Sequence, residues 1–176
     1  YKAKSPANGC EDIVIQDNTV YHAHGGFVLG SETISGIRRI VVRHNRFCGT
    51  DTGLRFKSGI GRGGKTSQLY ISDIQMTDIK DQAIVFETSY ADRPAGSKAS
   101  DSGSSKAQTD FIPEFCDIHI SRVVCRDTRI GIASKGTPQM IHDITVDNST
   151  IFYTSKDKDI DHPDMIRLNE VKLSRY

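Results

Sequence analysis

The chain has 176 residues, with 23 Lys and Arg against 22 Asp and Glu, so its formal net charge of +1 gives no overall pull toward nucleic acid or an anionic membrane surface. No apolar run approaches the roughly 20 residues of a membrane span, and no basic segment followed by an apolar stretch marks a signal peptide in this chain. The length suits one domain.

The first alternating run is Asp12-Ile13-Val14-Ile15, followed by a shorter apolar mark at Val20 and a second quartet, Gly26-Phe27-Val28-Leu29. The same three marks return as Arg39-Ile40-Val41-Val42, Phe47 and Gly53-Leu54-Arg55-Phe56. They return again as Gln68-Leu69-Tyr70-Ile71, Met76 and Ala83-Ile84-Val85-Phe86, and then as Asp117-Ile118-His119-Ile120, Cys125 and Gly131-Ile132-Ala133-Ser134. Asp143-Ile144-Thr145-Val146 and Ile151 open another unit, and Met165 to Leu173 reads as one more strand segment. The lead apolar residues at 13, 40, 69, 118 and 144 are separated by steps of 27, 29, 49 and 26. A period in this range is the mark of a stacked repeat fold.

Alternation of apolar and polar residues over four to six positions reads as strand, and no segment sustains helical spacing for three turns. Three short strands per unit at a nearly constant period predict an all-β, right-handed parallel β-helix, a solenoid whose core is a ladder of like residues. The 49-residue step holds about 20 extra residues, 91–110, rich in Ser, Ala, Gly and Asp. Such a stretch cannot bury a core and is expected to be an inserted surface loop, either on a binding face or without a role. The chain opens at Tyr1 in mid-coil without a polar cap, so residues 1–176 read as a single C-terminal portion of a β-helix domain. An exposed apolar coil end is expected to favour self-association.

Cys10, Cys48, Cys116 and Cys125 form no CxxC pair, so they read as small buried thiols rather than zinc ligands or disulfides. His22 and His24 share a face under strand alternation, but without a third and fourth ligand no metal or cofactor is assigned to them. His24 is instead notable for the adjoining Gly25 and Gly26, which permit close approach of backbone or ligand. Arg55 and Lys57 are two apart on one strand, so they share a face while Leu54 and Phe56 point inward. Two cations so placed suit a carboxylate or phosphate. The repeat stacks Asp51 over His24, Arg55 over Val28, Lys57 over Gly30 and Glu87 over Lys57. On residue types alone, Lys57 and Glu87 also read as a solvated cross-strand pair contributing under about 1 kcal/mol.

These residues carry a resemblance. His24-Gly25-Gly26-Phe27-Val28-Leu29-Gly30-Ser31-Glu32 resembles the Gly-His-Gly motif of the polygalacturonase family of glycoside hydrolases (family 28), and Gly53-Leu54-Arg55-Phe56-Lys57 resembles its Arg-Ile-Lys motif. Ala83 to Tyr90 is similar to the family's next coil, which ends in a substrate-contacting Tyr, and the Gly-Ser-Glu sequence is similar to bacterial exo-acting members. Ala23 stands where the first Gly is usual, and Phe56 replaces Ile.

The resemblance implies a pectin-degrading enzyme that hydrolyses α-1,4-galacturonosyl linkages with inversion, acts on pectic polysaccharide or oligogalacturonide, and works in the periplasm or outside the cell. It implies that His24 hydrogen-bonds or tunes the catalytic acid, that Arg55 and Lys57 hold the uronate carboxylate, and that Tyr90 contacts a sugar ring. The family's Asn-Thr-Asp and Asp-Asp motifs precede Gly-His-Gly, and the 23 residues before His24 hold no Asp-Asp, so the chain alone is expected to be inactive. Two alternatives remain. One is a polysaccharide lyase using Ca²⁺, whose acidic cluster would be Asp157, Asp159, Asp161 and Asp164, far along the chain from Arg55. The other is a non-catalytic β-helix that binds glycan.

Overall fold

The computed structural model describes residues 9–90 and 110–176; the expected loop over 91–110 lies outside them, apart from Asp110. The strands are β1 (Cys10–Gln16), β2 (Thr19–Tyr21), β3 (Gly25–Leu29), β4 (Ile37–Cys48), β5 (Thr52–Lys57) and β6 (Lys65–Thr77), followed by β7 (Ile79–Glu87), β8 (Glu114–Phe115), β9 (Ile118–Lys135), β10 (Ile144–Ile160) and β11 (Ile166–Arg175). Among the described residues there is no α-helix, only a single 3-10 turn at Pro163–Met165, and no helix long and apolar enough to cross a membrane.

Every strand pairing is parallel, and the pairings run coil to coil. Ile13, Ile40, Leu69, Ile118, Ile144 and Ile166 form one continuous column. Val20, Phe47, Met76, Cys125, Ile151 and Leu173 form a second, and Phe27, Leu54, Ile84 and Ile132 a third. The fold is a parallel β-helix, and its columns are the marks read from the sequence. The expected strand over Met165 to Leu173 is β11, with Met165 closing the preceding turn.

The columns converge on one apolar interior. Leu54, Phe56, Leu69, Ile84, Phe86 and Ile118 are fully buried. Phe56 and Phe86 stack face to face at 4.3 Å, and Phe115 meets both edge-on at 6.3 and 6.2 Å. Edge-to-face and stacked rings of this kind add about 0.5–1.5 kcal/mol per pair beyond their buried area. The cysteines divide. Cys125 lies in the second column and Cys116 is buried, as the sequence suggested, whereas Cys48 is half-buried and Cys10 is exposed, because the latter starts the edge strand β1; all four are free thiols.

The coil corners use a backbone state that few side chains favour. Asp12, Arg39, Gln68, Asp117 and Asp143, each just before a lead apolar residue, have φ between 50° and 58°. Asp17, His44, Asp73, Arg122, Asn148 and Glu170 form a second left-handed column, with φ from 47° to 58°. Asp, Asn and His tolerate this region better than most, but Arg, Gln and Glu do not; their positions are held by the stacking of neighbouring coils. Nitrogen bases and carboxylates alternate along the second column: His44 lies 3.9 Å from Asp17 and 3.7 Å from Asp73, and Arg122 donates to Asp73 at 2.7 Å. Inside this corner, Asn45 is buried; its amide donates to the Ile15 and Arg43 carbonyls, and its oxygen accepts from the Asn18 backbone N–H. No polar atom of Asn45 is left without a partner, as burial requires.

The chain leaves and rejoins the described coils at one place. The Tyr90 N–H donates to the Ser58 carbonyl at 3.0 Å, and the Gly61 N–H donates to the Asp110 carbonyl at 3.2 Å. Both ends of the span between them are therefore tied to the same short segment after β5.

Phe56→Ala is expected to cost about 3–5 kcal/mol, read as a lower urea midpoint at unchanged slope. The Arg122 guanidinium beside Asp73 holds its carboxyl down to about 2, against an ordinary 3.8. A depressed carboxylate adds stability above the unfolded value and loses it as pH falls through the folded one. Melting temperatures taken from pH 4 down to pH 2 are thus expected to fall less steeply in Asp73→Asn than in the parent chain.

Candidate functional site

Register places the site. Gly25 pairs with Thr52 and Val28 with Arg55, so His24 lies directly over Asp51. The Asp51 N–H donates to the Ala23 carbonyl, and the Thr52 hydroxyl donates to the His24 carbonyl at 3.2 Å, fixing the backbone beneath the imidazole. The glycines beside His24 serve packing rather than a ligand: a Cβ on Gly26 would lie 2.2 Å from the Phe47 ring. Gly30 is needed for a different reason. Its φ is +103°, and a Cβ there would lie 1.8 Å from the Lys57 carbonyl oxygen, so no other residue lets the coil pass under Lys57.

The polar groups form a chain across three coils. Lys80 Nζ is 3.0 Å from Asp51 Oδ1, Asp51 Oδ2 is 2.9 Å from His24 Nδ1, His24 Nε2 is 2.9 Å from Arg55 Nη1, and Arg55 Nη2 is 3.5 Å from Glu87 Oε2. A guanidinium only donates. His24 Nε2 therefore accepts, and Nδ1 carries the proton donated to Asp51, which fixes a neutral tautomer. The Lys80 ammonium, and then the His24 N–H, hold the Asp51 carboxyl below its ordinary value. The His24 side chain is 70% exposed, whereas that of Arg55 is only 14% exposed, so the imidazole faces solvent and the guanidinium supports it from below.

Leu54 and Phe56 are fully buried, and Arg55 and Lys57 point outward, as alternation required. Glu87 is the strand partner of Lys57, but its carboxylate turns to Arg55. Lys57 Nζ lies 4.1 Å from the centre of the Tyr90 ring, which Arg55 also approaches at 5.5 Å, and Lys57 forms no ion pair among the described residues. The cross-strand ion pair that residue types allowed is thus replaced by a cation on an aromatic face. Tyr90 is held there by its bond to Ser58 and by Gly59, where a Cβ would come within 2.5 Å of the Tyr90 carbonyl.

His24 and Arg55 line a groove of about 380 Å³, with Asp81, Glu87, Lys135 and Asp159 on its other walls. Lys57 and Tyr90 are not among its lining residues; they connect to it through Arg55, whose guanidinium lies 5.5 Å from the centre of the Tyr90 ring. Sequence reasoning did not foresee Asp81, Lys135 or Asp159 as neighbours of Arg55. The repeat did contain the signal, since Arg55, Val85, Ala133 and Asp159 form one column. Asp159 is therefore not remote from Arg55, contrary to its place along the chain. It does not make a calcium site with Asp161, because Lys135 Nζ binds both carboxylates at 3.2 and 3.0 Å. His22 is exposed and stands apart from this network. A slightly larger depression of about 440 Å³ lies elsewhere, bordered by Asp117, His119 and Arg167; of the residues singled out in the sequence it holds Asp164, which is thus parted from the groove that Asp159 lines.

His24 is expected to show Nδ1–H tautomer nitrogen shifts by NMR at neutral pH, and Asp51→Asn to shift the population toward the other tautomer by several-fold. An unchanged tautomer ratio in that variant would show that Asp51 does not set it.

Comparison with known proteins bears on the same stretch. The family model described as glycosyl hydrolases family 28 matches residues 5–108, which contain His24, Arg55, Lys57 and Tyr90. The chain is similar to an exo-poly-alpha-D-galacturonosidase of Dickeya chrysanthemi, 36% identical over 76 residues, which is 43% of this chain and 13% of that protein. It is similar to a polygalacturonase of Ralstonia nicotianae, 32% identical over 92 residues, 50% of this chain and 17% of that one. The chain thus matches less than a fifth of the length of these relatives. In fold it is similar to the crystal structure of a hyperthermoactive exopolygalacturonase from Thermotoga maritima, with a TM-score of 0.67 at 19% identity, covering 92% of this chain and 35% of that one. With more than half of its residues matched by the family model, and with parallel coils throughout, the chain belongs to glycosyl hydrolase family 28.

Proposed function

We propose that this chain supplies the substrate-holding side of a site that hydrolyses galacturonosyl linkages in pectin with inversion. The observation that carries the reading is the meeting of Arg55, Lys57 and Tyr90 beside a neutral His24. Lys57 offers an ammonium not paired with any described carboxylate. Arg55 has N–H donors beyond those given to His24 and Glu87, so the two cations suit a uronate carboxylate. Tyr90 offers an apolar ring face for a pyranose ring and a hydroxyl for its oxygens.

Inversion requires one carboxylic acid to protonate the leaving oxygen and one carboxylate to activate water. The groove carboxylates are poorly suited to the acid's role. Asp51 is bound by Lys80, Asp81 by Arg129, Glu87 by Arg55 and Asp159 by Lys135. Each of these carboxylates already holds a cation from a neighbouring coil, whereas a general acid must turn a free carboxyl to the glycosidic oxygen. The reading therefore assigns the acid and base to carboxylates outside these 176 residues, of the kind that the family's Asn-Thr-Asp and Asp-Asp motifs would supply. Both His24 ring nitrogens are engaged, Nδ1 by Asp51 and Nε2 by Arg55, so in this reading the acid's O–H takes the exposed Nε2 in place of the Arg55 guanidinium. A cell-wall polymer as substrate places the parent enzyme in the periplasm or outside the cell.

Arg55→Ala and Lys57→Ala in the parent enzyme are each expected to raise KM for polygalacturonate about 10- to 100-fold, the range of a lost charged hydrogen bond, with the melting temperature nearly unchanged. Both variants should also lose the preference for free over methyl-esterified galacturonate. Equal kinetics with a large loss of stability would make the pair structural. The 176-residue chain alone is expected to release no reducing sugar from polygalacturonate; measurable turnover would overturn the assignment of the acids.

A further inference from the structure

We propose that Glu114, Cys116 and His142 form a binding site for a divalent transition metal of the zinc class. The site lies where the chain rejoins the coils, away from the groove of His24 and Arg55. Glu114 and Cys116 are two apart across the short strand β8, so alternation puts both side chains on one face. Phe115 bridges to Ile141, and the next pairing in the stack is Ile118 with Ile144, so His142 arrives over Cys116 from the following coil.

The three donor atoms lie within 4.8 Å of one another. Cys116 Sγ is 3.3 Å from Glu114 Oε1, and His142 Nε2 is 3.4 Å from the same oxygen. Zinc bonds of about 2.3 Å to sulfur and about 2.0–2.2 Å to nitrogen and oxygen put tetrahedral neighbours roughly 3.3–3.6 Å apart. Two edges of the required tetrahedron are therefore already present. Sulfur, imidazole and carboxylate together favour zinc or cobalt over calcium or magnesium, and three protein donors leave a fourth position for water.

A second observation points to the same ligand. His142 Nδ1 lies 2.8 Å from Asp143 Oδ2, an acceptor for its N–H, so when a metal displaces any proton from Nε2, which lies 3.4 Å from Glu114 Oε1, the ring binds it as a neutral imidazole held by Asp143. This carboxylate–imidazole pairing is the usual outer support of a metal-ligating His. Without a metal, two positive features occupy the centre: the Cys116 thiol proton, donated to Glu114, and the Lys65 ammonium, 3.1 Å from Glu114 Oε1. A divalent ion replaces both. The thiol proton passes to solvent, the charges of thiolate and carboxylate cancel the ion's, and Lys65, whose side chain is 59% exposed, swings out. Spacing along the chain hid this site, because two ligands come from one coil and the third from the next, 26 residues after Cys116.

Titration of the reduced full chain with Co²⁺ tests the proposal through the thiolate-to-cobalt charge-transfer absorption. One equivalent per chain is expected, displaced by Zn²⁺. The band should vanish in Cys116→Ser and persist in Cys10→Ser and Cys48→Ser. Asp143→Asn should weaken binding about 10- to 100-fold, and Lys65→Ala should tighten it. His142→Gln, changed at a half-exposed side chain, must also abolish the band and carries the test if the serine variant fails to fold. Absence of the band with the parent chain, or its survival in either Cys116→Ser or His142→Gln, would overturn the site.

Discussion

Everything in this molecule depends on parallel register between successive coils. Parallel ladders do not tolerate a slip of one residue, because such a slip exchanges the core face for the solvent face. Here the register is enforced twice, by apolar columns such as Ile40, Leu69 and Ile118 inside and by left-handed corners at Arg39, Gln68 and Asp117 that begin each coil. The corners are locally unfavourable and the columns are not, so the stack as a whole holds each strained residue in place.

The same register creates the chemistry. His24, Arg55 and Glu87 belong to three coils, yet stacking makes them neighbours in one hydrogen-bonded chain. A guanidinium at the centre fixes the imidazole tautomer from one side while Asp51 fixes it from the other. Little of this depends on flexible loops. A site built on strand faces has its geometry set before any ligand arrives, which lowers the cost of binding a rigid one.

The columns are legible in the sequence because periodicity reports burial directly: the spacing of Ile13, Ile40, Leu69, Ile118 and Ile144 already sets them in register. Pairings of side chains are less legible. Lys57 and Glu87 are strand partners as expected, but the longer reach of Arg55 captures Glu87 and releases Lys57 to Tyr90. The left-handed state of Arg39, Arg122 and Glu170 is equally hidden, since their residue types argue against it and only the tertiary stack explains it. The closeness of Arg55 and Asp159 is concealed for a related reason. Sequence separation of 104 residues says nothing once four coils lie side by side in one column.

Tyr90 and Asp110 are both tied to the segment from Ser58 to Gly61, while Phe115 plugs the core immediately afterward against Phe56 and Phe86. Among the described residues, the coils on either side of these anchors pack directly on one another through Phe56, Phe86 and Phe115. The length of a span so anchored is thermodynamically cheap to change, since doubling a loop costs only about 0.6 kcal/mol. It also begins at the residue that flanks the cationic pair. A solenoid arranged this way can exchange the residues between two such anchors as a cassette, changing what borders Tyr90 while the columns beneath keep their register.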